Sequence, residues 1–206
     1  MPAGHIEEAL AKLGCSSEVV SLDPHSLPQV LDSIKRTGKA LDRAAEAKEL
    51  VKSMKARIDA VKKKAALLPS ISVLALEWSD PPWAGGHWVP QMVEIAGGAN
   101  LLGQKSKPSR RVTWKEVTDA TPEVIVFTPC GYYLEEAESE AHALFLNADF
   151  ADTPAAREGS VFAVDASSYF SRPGPRIVEG VEILAWAIHP ESFPEPPEGT
   201  IARVER

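Results

Sequence analysis

Three short apolar runs, separated by helical patterns, constrain the fold most. The runs are "SISVLAL" (70–76), "EVIVFT" (123–128) and "SVFAVDA" (160–166). Each is apolar on both faces, which is typical of strands buried in a parallel sheet. The helical patterns that follow or separate them cover residues 87–95, 113–120, 134–147 and 175–188. Strands that alternate with helices predict an α/β fold, a three-layer αβα lobe in which helices cover both faces of a parallel sheet.

The first third of the chain is predicted to be mainly helical. Residues 3–13 form an amphipathic pattern, and residues 17–22 are predicted to form a short strand. Ser26, with Gln29 three residues later, predicts a capping box that starts the next helix. The apolar positions of that helix are Val30, Leu31, Ile34 and Leu41.

A longer helix is predicted to start at Asp42, an N-cap candidate. One apolar face recurs along it at helical spacing: Leu50, Val51, Met54, Ile58 and Val61. At about 1.5 Å per residue such a helix spans about 30 Å, the length of a whole domain. We therefore expect a long spine helix in front of the α/β lobe.

Composition and charge exclude several classes of function. The chain has 206 residues and a net charge of −7, which disfavours a nucleic-acid or anionic-membrane surface. The basic run "KSKPSRR" (105–111) is expected to be a solvated loop or an anion site. Two distant cysteines and five scattered histidines lack the spacing of a structural metal site. We expect no cofactor, no nucleic-acid partner and no membrane span.

The two ends of the chain carry less specific patterns. The N-terminus "MPAGHIEEALAKLG" has neither a basic region nor an apolar core of its own, so we expect an amphipathic helix and not a signal peptide. The compartment stays open on this ground. The segment from His189 is rich in proline and acidic residues, which predicts an extended or disordered tail.

Motifs for nucleotide binding or esterase chemistry are absent from the sequence. An enzyme on this sheet would have to use Cys130 as a nucleophile or Glu77 and Asp80 as a carboxylate pair. His87 is either a polar cap near a helix start or an axial metal ligand. We keep the enzyme as an alternative to a binding protein.

Aromatic residues follow all three predicted strands. They include Trp78 and Trp83 after the first strand, Tyr132 after the second, and Tyr169 and Phe170 after the third. If the strands are parallel, these loops share one edge of the sheet, where ligands of open α/β folds bind. Together with a single cation, Arg172, they predict a broad apolar wall for a large, flat, partly apolar ligand.

The order of these segments resembles the helical-backbone class (class III) of periplasmic substrate-binding proteins, which serve ABC importers of cobalamin, haem and ferric siderophores. The resemblance rests on the long helix 31–61 and on "VLALEWSDPPWAGGHWVPQMVEIAGGANLLG" (73–103). It extends through "VTWKEVTDATPEVIVFTPCG" (112–131) and "AVDASSYFSRPGPRIVEGVEILAWAIHPE" (163–191). The aromatic loops and "TPCGYYLEEA" are most similar to the cobalamin-binding members.

The resemblance implies a non-catalytic cobalamin-binding module. The expected ligand-binding residues are Trp83, Trp88, Tyr132, Tyr169, Phe170 and Arg172. It also implies four regions: a remnant of an N-terminal lobe, a pair of spine helices, a ligand-binding lobe and a proline-rich tail. Their expected boundaries are residues 1–25, 26–68, 69–190 and 191–206.

Three departures from the family pattern shape the expected partners. Most of the N-terminal lobe has no counterpart before the spine, so a second chain would have to supply the other face of the cleft. The start of the sequence is also not expected to be a signal peptide. A glutamate expected to dock on an ABC permease is replaced by Lys115, with Glu116 beside it. The alternatives are a haem or siderophore carrier, or a scaffold protein that uses the same aromatic surface.

Overall fold

The computed structural model describes residues 3–206, and its elements alternate as the sequence predicts. The helices are α1 (Ala3–Lys12), α2 (Leu27–Ala40), α3 (Ala44–Ala65), α4 (Val89–Ile95), α5 (Trp114–Asp119), α6 (Leu134–Leu144), α7 (Ala148–Ala151), α8 (Pro154–Arg157), α9 (Ala166–Tyr169) and α10 (Ile177–Ile188). The strands are β1 (Ile71–Ser79), β2 (Pro82–Ala84), β3 (Gly98–Asn100), β4 (Arg110–Arg111), β5 (Val124–Phe127), β6 (Val161–Val164) and β7 (Ile201–Arg203).

The sheet has a parallel centre and antiparallel edges. Its strand order is β4-β2-β1-β5-β6-β7, and β3 pairs in parallel with the first residues of β1. Strands β1, β5 and β6 are parallel, with Val73 opposite Val124 and Ile125 opposite Val161. The predicted parallel sheet is confirmed, whereas the short antiparallel strands β2, β4 and β7 were not predicted.

The alternation of side chains along β1 explains why its sequence is apolar throughout. Val73 and Ala75 pack into one core, against α2, α3, α4 and α10. Leu74 and Leu76 pack into a second core, with α5, α6, α7 and α8. Successive side chains of a strand point to opposite faces, so a sheet covered on both sides needs a continuous apolar run. The three-layer αβα architecture follows directly.

Helices α2 and α3 follow each other closely in the chain, pack against each other, and contribute to the core that contains Val73 and Ala75. The 22 residues of α3 give it a length of about 33 Å. Ser26 is the N-cap of α2, since its hydroxyl accepts from the backbone N–H of Gln29, but the predicted capping box is incomplete because the Gln29 side chain accepts from His25 N and not from Ser26 N. The prediction of Asp42 as the N-cap of α3 is wrong, because Arg43 holds that position and Asp42 adopts a φ of 54°.

The buried face of α3 follows the prediction except at Leu50. Val51, Met54, Ile58 and Val61 are buried, whereas Leu50 is 40% exposed. Leu50 adjoins Val51 but points about 100° away from it around the helix axis, toward the side of α3 that the core leaves partly exposed. Leu41 also lies outside the core, since it follows the last turn of α2 and is 66% exposed.

Two predicted segments differ from the structure. Residues 17–22 do not form a strand, because no neighbouring strand within residues 3–206 pairs with them, and Val20 is exposed. The tail from His189 was predicted to be extended or disordered, and disorder is wrong for its last residues. There, residues 201–203 pair antiparallel with β6 and Val204 is fully buried. A strand of suitable pattern needs a partner to form, and β6 offers one only to the tail.

The segment that contains Trp78, Trp83 and Trp88 forms a β-hairpin, β1 and β2, and then leads into helix α4. Strand β1 runs through Trp78 to Ser79, turns at a cis peptide between Asp80 and Pro81, and returns as β2. Trp78 and Trp83 are opposite each other in this hairpin. The hairpin therefore orders two of the three tryptophans as part of the sheet.

Candidate functional site

A cleft of 310 Å³ lies beyond the carboxyl ends of β1, β5 and β6. Its walls come from residues 22–25 and 86–89, from Glu77 near the end of β1, and from the segments that follow β5 and β6. The members from those segments include Thr128, Cys130, Phe170 and Ser171. This is the edge at which open α/β sheets bind ligands, as the sequence predicts.

A hydrogen bond between two distant segments builds the apolar floor of the cleft. The indole Nε1 of Trp88 donates to the backbone oxygen of Phe170 at 2.8 Å, and both residues are buried. A buried indole needs such a partner for its N–H group. The bond links the start of α4 to the end of α9, so both segments contribute to the floor of the cleft.

Several hydrogen bonds attach the loop that carries Ser109 to two other segments of the protein. These segments are strand β1 and the residues just before α4. The backbone N–H of Gly86 donates to Ser109 Oγ at 3.0 Å, and this hydroxyl in turn donates to the carboxylate of Glu77. His87 N donates to the carbonyl of Lys107 at 2.6 Å. Glu77 is therefore a structural acceptor at the side of the cleft.

Two histidines stack at the mouth of the cleft. The rings of His25 and His87 have centroids 5.7 Å apart and planes inclined by 18°. His87 also lies 5.7 Å from the ring of Trp88, at a tilt of 45°. His25 Nε2 is 3.2 Å from the carboxylate of Asp23. The segment before α2 thus contributes a wall that the sequence patterns did not indicate.

The cleft contains two of the six predicted ligand-binding residues. Trp88 and Phe170 line it, but Trp83, Tyr132 and Arg172 lie outside its lining. Trp83 is half-buried on β2, and Arg172 is exposed. Tyr132 contacts the edge of Trp78, with ring centroids 5.6 Å apart. The nearby carboxylate of Glu140 raises the pKa of Tyr132.

Tyr169 lies in a different groove, between α3, α10 and the proline-rich tail. That groove has a volume of 640 Å³. Burial, followed by the charge of Glu179, raises the pKa of Tyr169. The residue that follows it, Phe170, is the one that lines the cleft. The local sequence does not show that Tyr169 and Phe170 belong to different cavities. They are adjacent in the chain at the end of α9, but their side chains point in different directions.

The candidate catalytic groups do not form a reactive arrangement. Glu77 faces the cleft, whereas Asp80 is exposed in the hairpin turn, so they are not a carboxylate pair. Cys130 lines the cleft as a free thiol and makes no hydrogen bond to any residue between 3 and 206. In the same part of the chain, no group of three or more His, Cys, Asp and Glu side chains is placed to hold a metal ion.

The region expected to dock on a permease is saturated by local contacts. Lys115 pairs with Asp119 at 3.0 Å, one turn further along α5. Glu116 closes a capping box with Thr113 and pairs with Arg110 at 3.2 Å. The hydrogen bond from the Thr113 backbone, then that from Arg110, lowers the pKa of the Glu116 carboxyl.

Comparison with known proteins places the chain in a family. The model of the periplasmic binding protein family matches residues 5–167. The uncharacterized ABC transporter substrate-binding lipoprotein YvrC of Bacillus subtilis is 26% identical over 173 residues, which cover 84% of this chain and 54% of that protein. The chain thus spans about half the length of the curated relative that it matches.

Solved structures share the same fold. A periplasmic haem-binding protein of Pseudomonas aeruginosa superposes with a TM-score of 0.80 at 19% identity, over 100% of this chain and 75% of that one. A periplasmic vitamin B12-binding protein of Vibrio cholerae superposes with a TM-score of 0.67 at 20% identity, over 91% and 69%. In the described part of the chain, no helix is long and apolar enough to cross a membrane. Since the family model covers most of the sequence, the protein belongs to the periplasmic binding protein family.

Proposed function

We propose that this chain acts as a substrate-binding component of an ABC importer and that its cleft binds a corrinoid of the cobalamin type. The observation that carries the proposal is the cleft at the carboxyl edge of β1, β5 and β6. Its floor is the buried pair Trp88 and Phe170. An apolar floor with a few polar groups around it suits a large ligand with a partly apolar face.

The size of the cleft sets the expected strength of binding. A volume of 310 Å³ is at the lower end of the range of about 300–1,000 Å³ that ligand sites occupy. A corrinoid is larger than this cleft, so only one edge or face of it is buried by this chain. Because the entropic cost of immobilising the ligand stays the same, we expect micromolar affinity, about −8 kcal/mol at 1 μM.

The partners of the proposed function are a permease and a second binding face. The Bacillus subtilis relative is named as a substrate-binding lipoprotein of an ABC transporter, which supports a permease as the partner. We propose that the second face of the ligand is covered by further protein, from another region or another chain. Docking through α5 would require Lys115 or Glu116 to leave their present partners, Asp119 and Arg110.

A calorimetric titration tests the proposal directly. Cobalamin is titrated into the purified chain, and haem is titrated in a second series. Ser171→Phe narrows the cleft, and Ser139→Phe adds the same ring on the exposed face of α6 as a matched control. We expect saturable micromolar binding of cobalamin by the wild type and by Ser139→Phe, and at least about a tenfold loss in Ser171→Phe, which is about 1.4 kcal/mol.

Two outcomes would contradict the proposal. Saturable binding of haem without binding of cobalamin would replace the corrinoid by an iron porphyrin. No saturation by either ligand at hundreds of micromolar would remove the autonomous binding function. The aromatic floor would then be available only to a protein partner, and the scaffold alternative would stand.

A further inference from the structure

The imidazole of His87 packs against His25 and Trp88 but uses neither of its nitrogen atoms within the described protein. It lines the cleft, and neither ring nitrogen hydrogen-bonds to any residue between 3 and 206. His25, in contrast, uses its Nε2 atom in the contact with Asp23 at 3.2 Å. Of the two stacked rings, that of His87 therefore has both nitrogen atoms available to a ligand.

The backbone at His87 is held in an unfavourable conformation. Its φ of 54° lies in the left-handed region, which few residues other than glycine adopt. Two hydrogen bonds fix it there, from His87 N to Lys107 O at 2.6 Å and from Ser106 N to His87 O at 2.9 Å. Strain that the surroundings maintain is typical of residues that bind ligands.

The number of protein ligands indicates which kind of metal centre fits. No three metal-binding side chains of the described residues come together, so a bare metal ion would lack ligands. The two rings stack with centroids 5.7 Å apart and planes inclined by 18°, so the lone pairs of their nitrogen atoms lie in nearly parallel planes and do not converge on one metal between the rings. A metal in a macrocycle already has four nitrogen ligands and needs only an axial one, which imidazole supplies in many proteins.

From these contacts we infer that His87 ligates the cobalt of a corrinoid at one axial position, while His25 supports the His87 ring by stacking. This inference rests on the proposed function of the cleft and adds the group that recognises the metal. The imidazole would replace an axial water on the cobalt. The cobalt–oxygen bond to that water breaks, and a cobalt–nitrogen bond to the neutral imidazole forms. Water leaves, and neither a proton nor an electron is transferred.

Two probes that differ only in their axial ligands test the inference. Diaquacobinamide has exchangeable axial waters, whereas in dicyanocobinamide both axial positions of the same corrin ring are blocked by cyanide. We expect the aqua form to bind at least about tenfold more tightly, by analogy with the cost of perturbing a metal ligand. We also expect its visible absorption bands to shift on binding, because the axial donor changes from oxygen to nitrogen.

The variant His87→Asn removes the imidazole and keeps a residue that tolerates a positive φ. It should abolish both the tenfold preference and the shift of the absorption bands, while dicyanocobinamide binds within about twofold of wild type. His142→Asn, on the exposed surface of α6, is the matched control and should retain both properties. His25→Ala should reduce the preference for the aqua form without abolishing it.

The outcomes separate the two proposals. Equal binding of both probes by wild type, or an unchanged preference in His87→Asn, overturns the role of His87 and leaves corrinoid binding intact. Absence of binding by either probe overturns the proposed function and this inference together. A His87→Asn protein that melts at the wild-type temperature excludes misfolding as the reason for a lost preference.

Discussion

Replacement of Gly86 by alanine tests the close contact that forms one side of the cleft. A Cβ atom at Gly86 would lie 2.5 Å from Lys107 O, Pro108 C and Ser109 N. All three atoms belong to the backbone, so no side-chain rotation can relieve the contact. The loop that carries Ser109 would have to move away from Gly86 and His87, which would break the hydrogen bond between Gly86 N and Ser109 Oγ.

The expected loss of stability follows from two opposing effects. Overpacking costs about 1–3 kcal/mol. The φ of Gly86 is outside the left-handed region, so alanine can adopt the backbone conformation, and the lower entropy of the unfolded chain returns about 0.4–1 kcal/mol. We expect a net loss of about 0–2.6 kcal/mol in the free energy of unfolding, with a midpoint of about 1.3 kcal/mol. For a chain of this length, the midpoint lowers the melting temperature by about 3–5 °C.

Urea denaturation and thermal melting measure the effect, with Gly174→Ala as the matched control. A Cβ at Gly174 meets no atom within 4 Å, so the control should match or slightly exceed the wild-type stability. Gly86→Ala should also weaken any ligand of the cleft, because Gly86 and His87 both line it. If Gly86→Ala is as stable as Gly174→Ala, the packing argument at this position is refuted.

Two further predictions concern titration and ion pairing. Burial lowers the pKa of His189, so the unfolded chain binds more protons as the pH falls through the unfolded value of about 6.5, and stability should decrease in that window. His189→Leu should flatten the pH profile of the melting temperature. His142→Leu should not, and a profile with the same slope in His189→Leu would contradict this cause. Arg57 and Glu182 form a bidentate pair at 2.9 and 2.6 Å, yet their side chains are 43% and 39% exposed. A double-mutant cycle should therefore give a coupling of only about 0.2–1 kcal/mol, and a value above about 2 kcal/mol would show that solvent screening has been overestimated.

The secondary structure of the lobe is largely readable from the sequence because its signals are local. The continuous apolar runs of β1, β5 and β6 reflect a sheet that is buried on both faces. The apolar residues of α3 recur at helical spacing because they occupy one buried face of that helix. Strand formation at 17–22 failed as a prediction since pairing depends on a neighbour, and the same dependence explains the unpredicted β7.

The composition of the cleft depended on contacts between distant parts of the chain. The sequence by itself determined the parallel centre of the sheet, its two apolar faces and the edge at which a ligand site should lie. Only the tertiary structure decided that Trp88 bonds to Phe170, that Tyr169 belongs to another groove, and that His25 stacks on His87. Local periodicity specifies which residues are buried, whereas the contacts between the ends of α2, α4 and α9 specify which of them share a cavity.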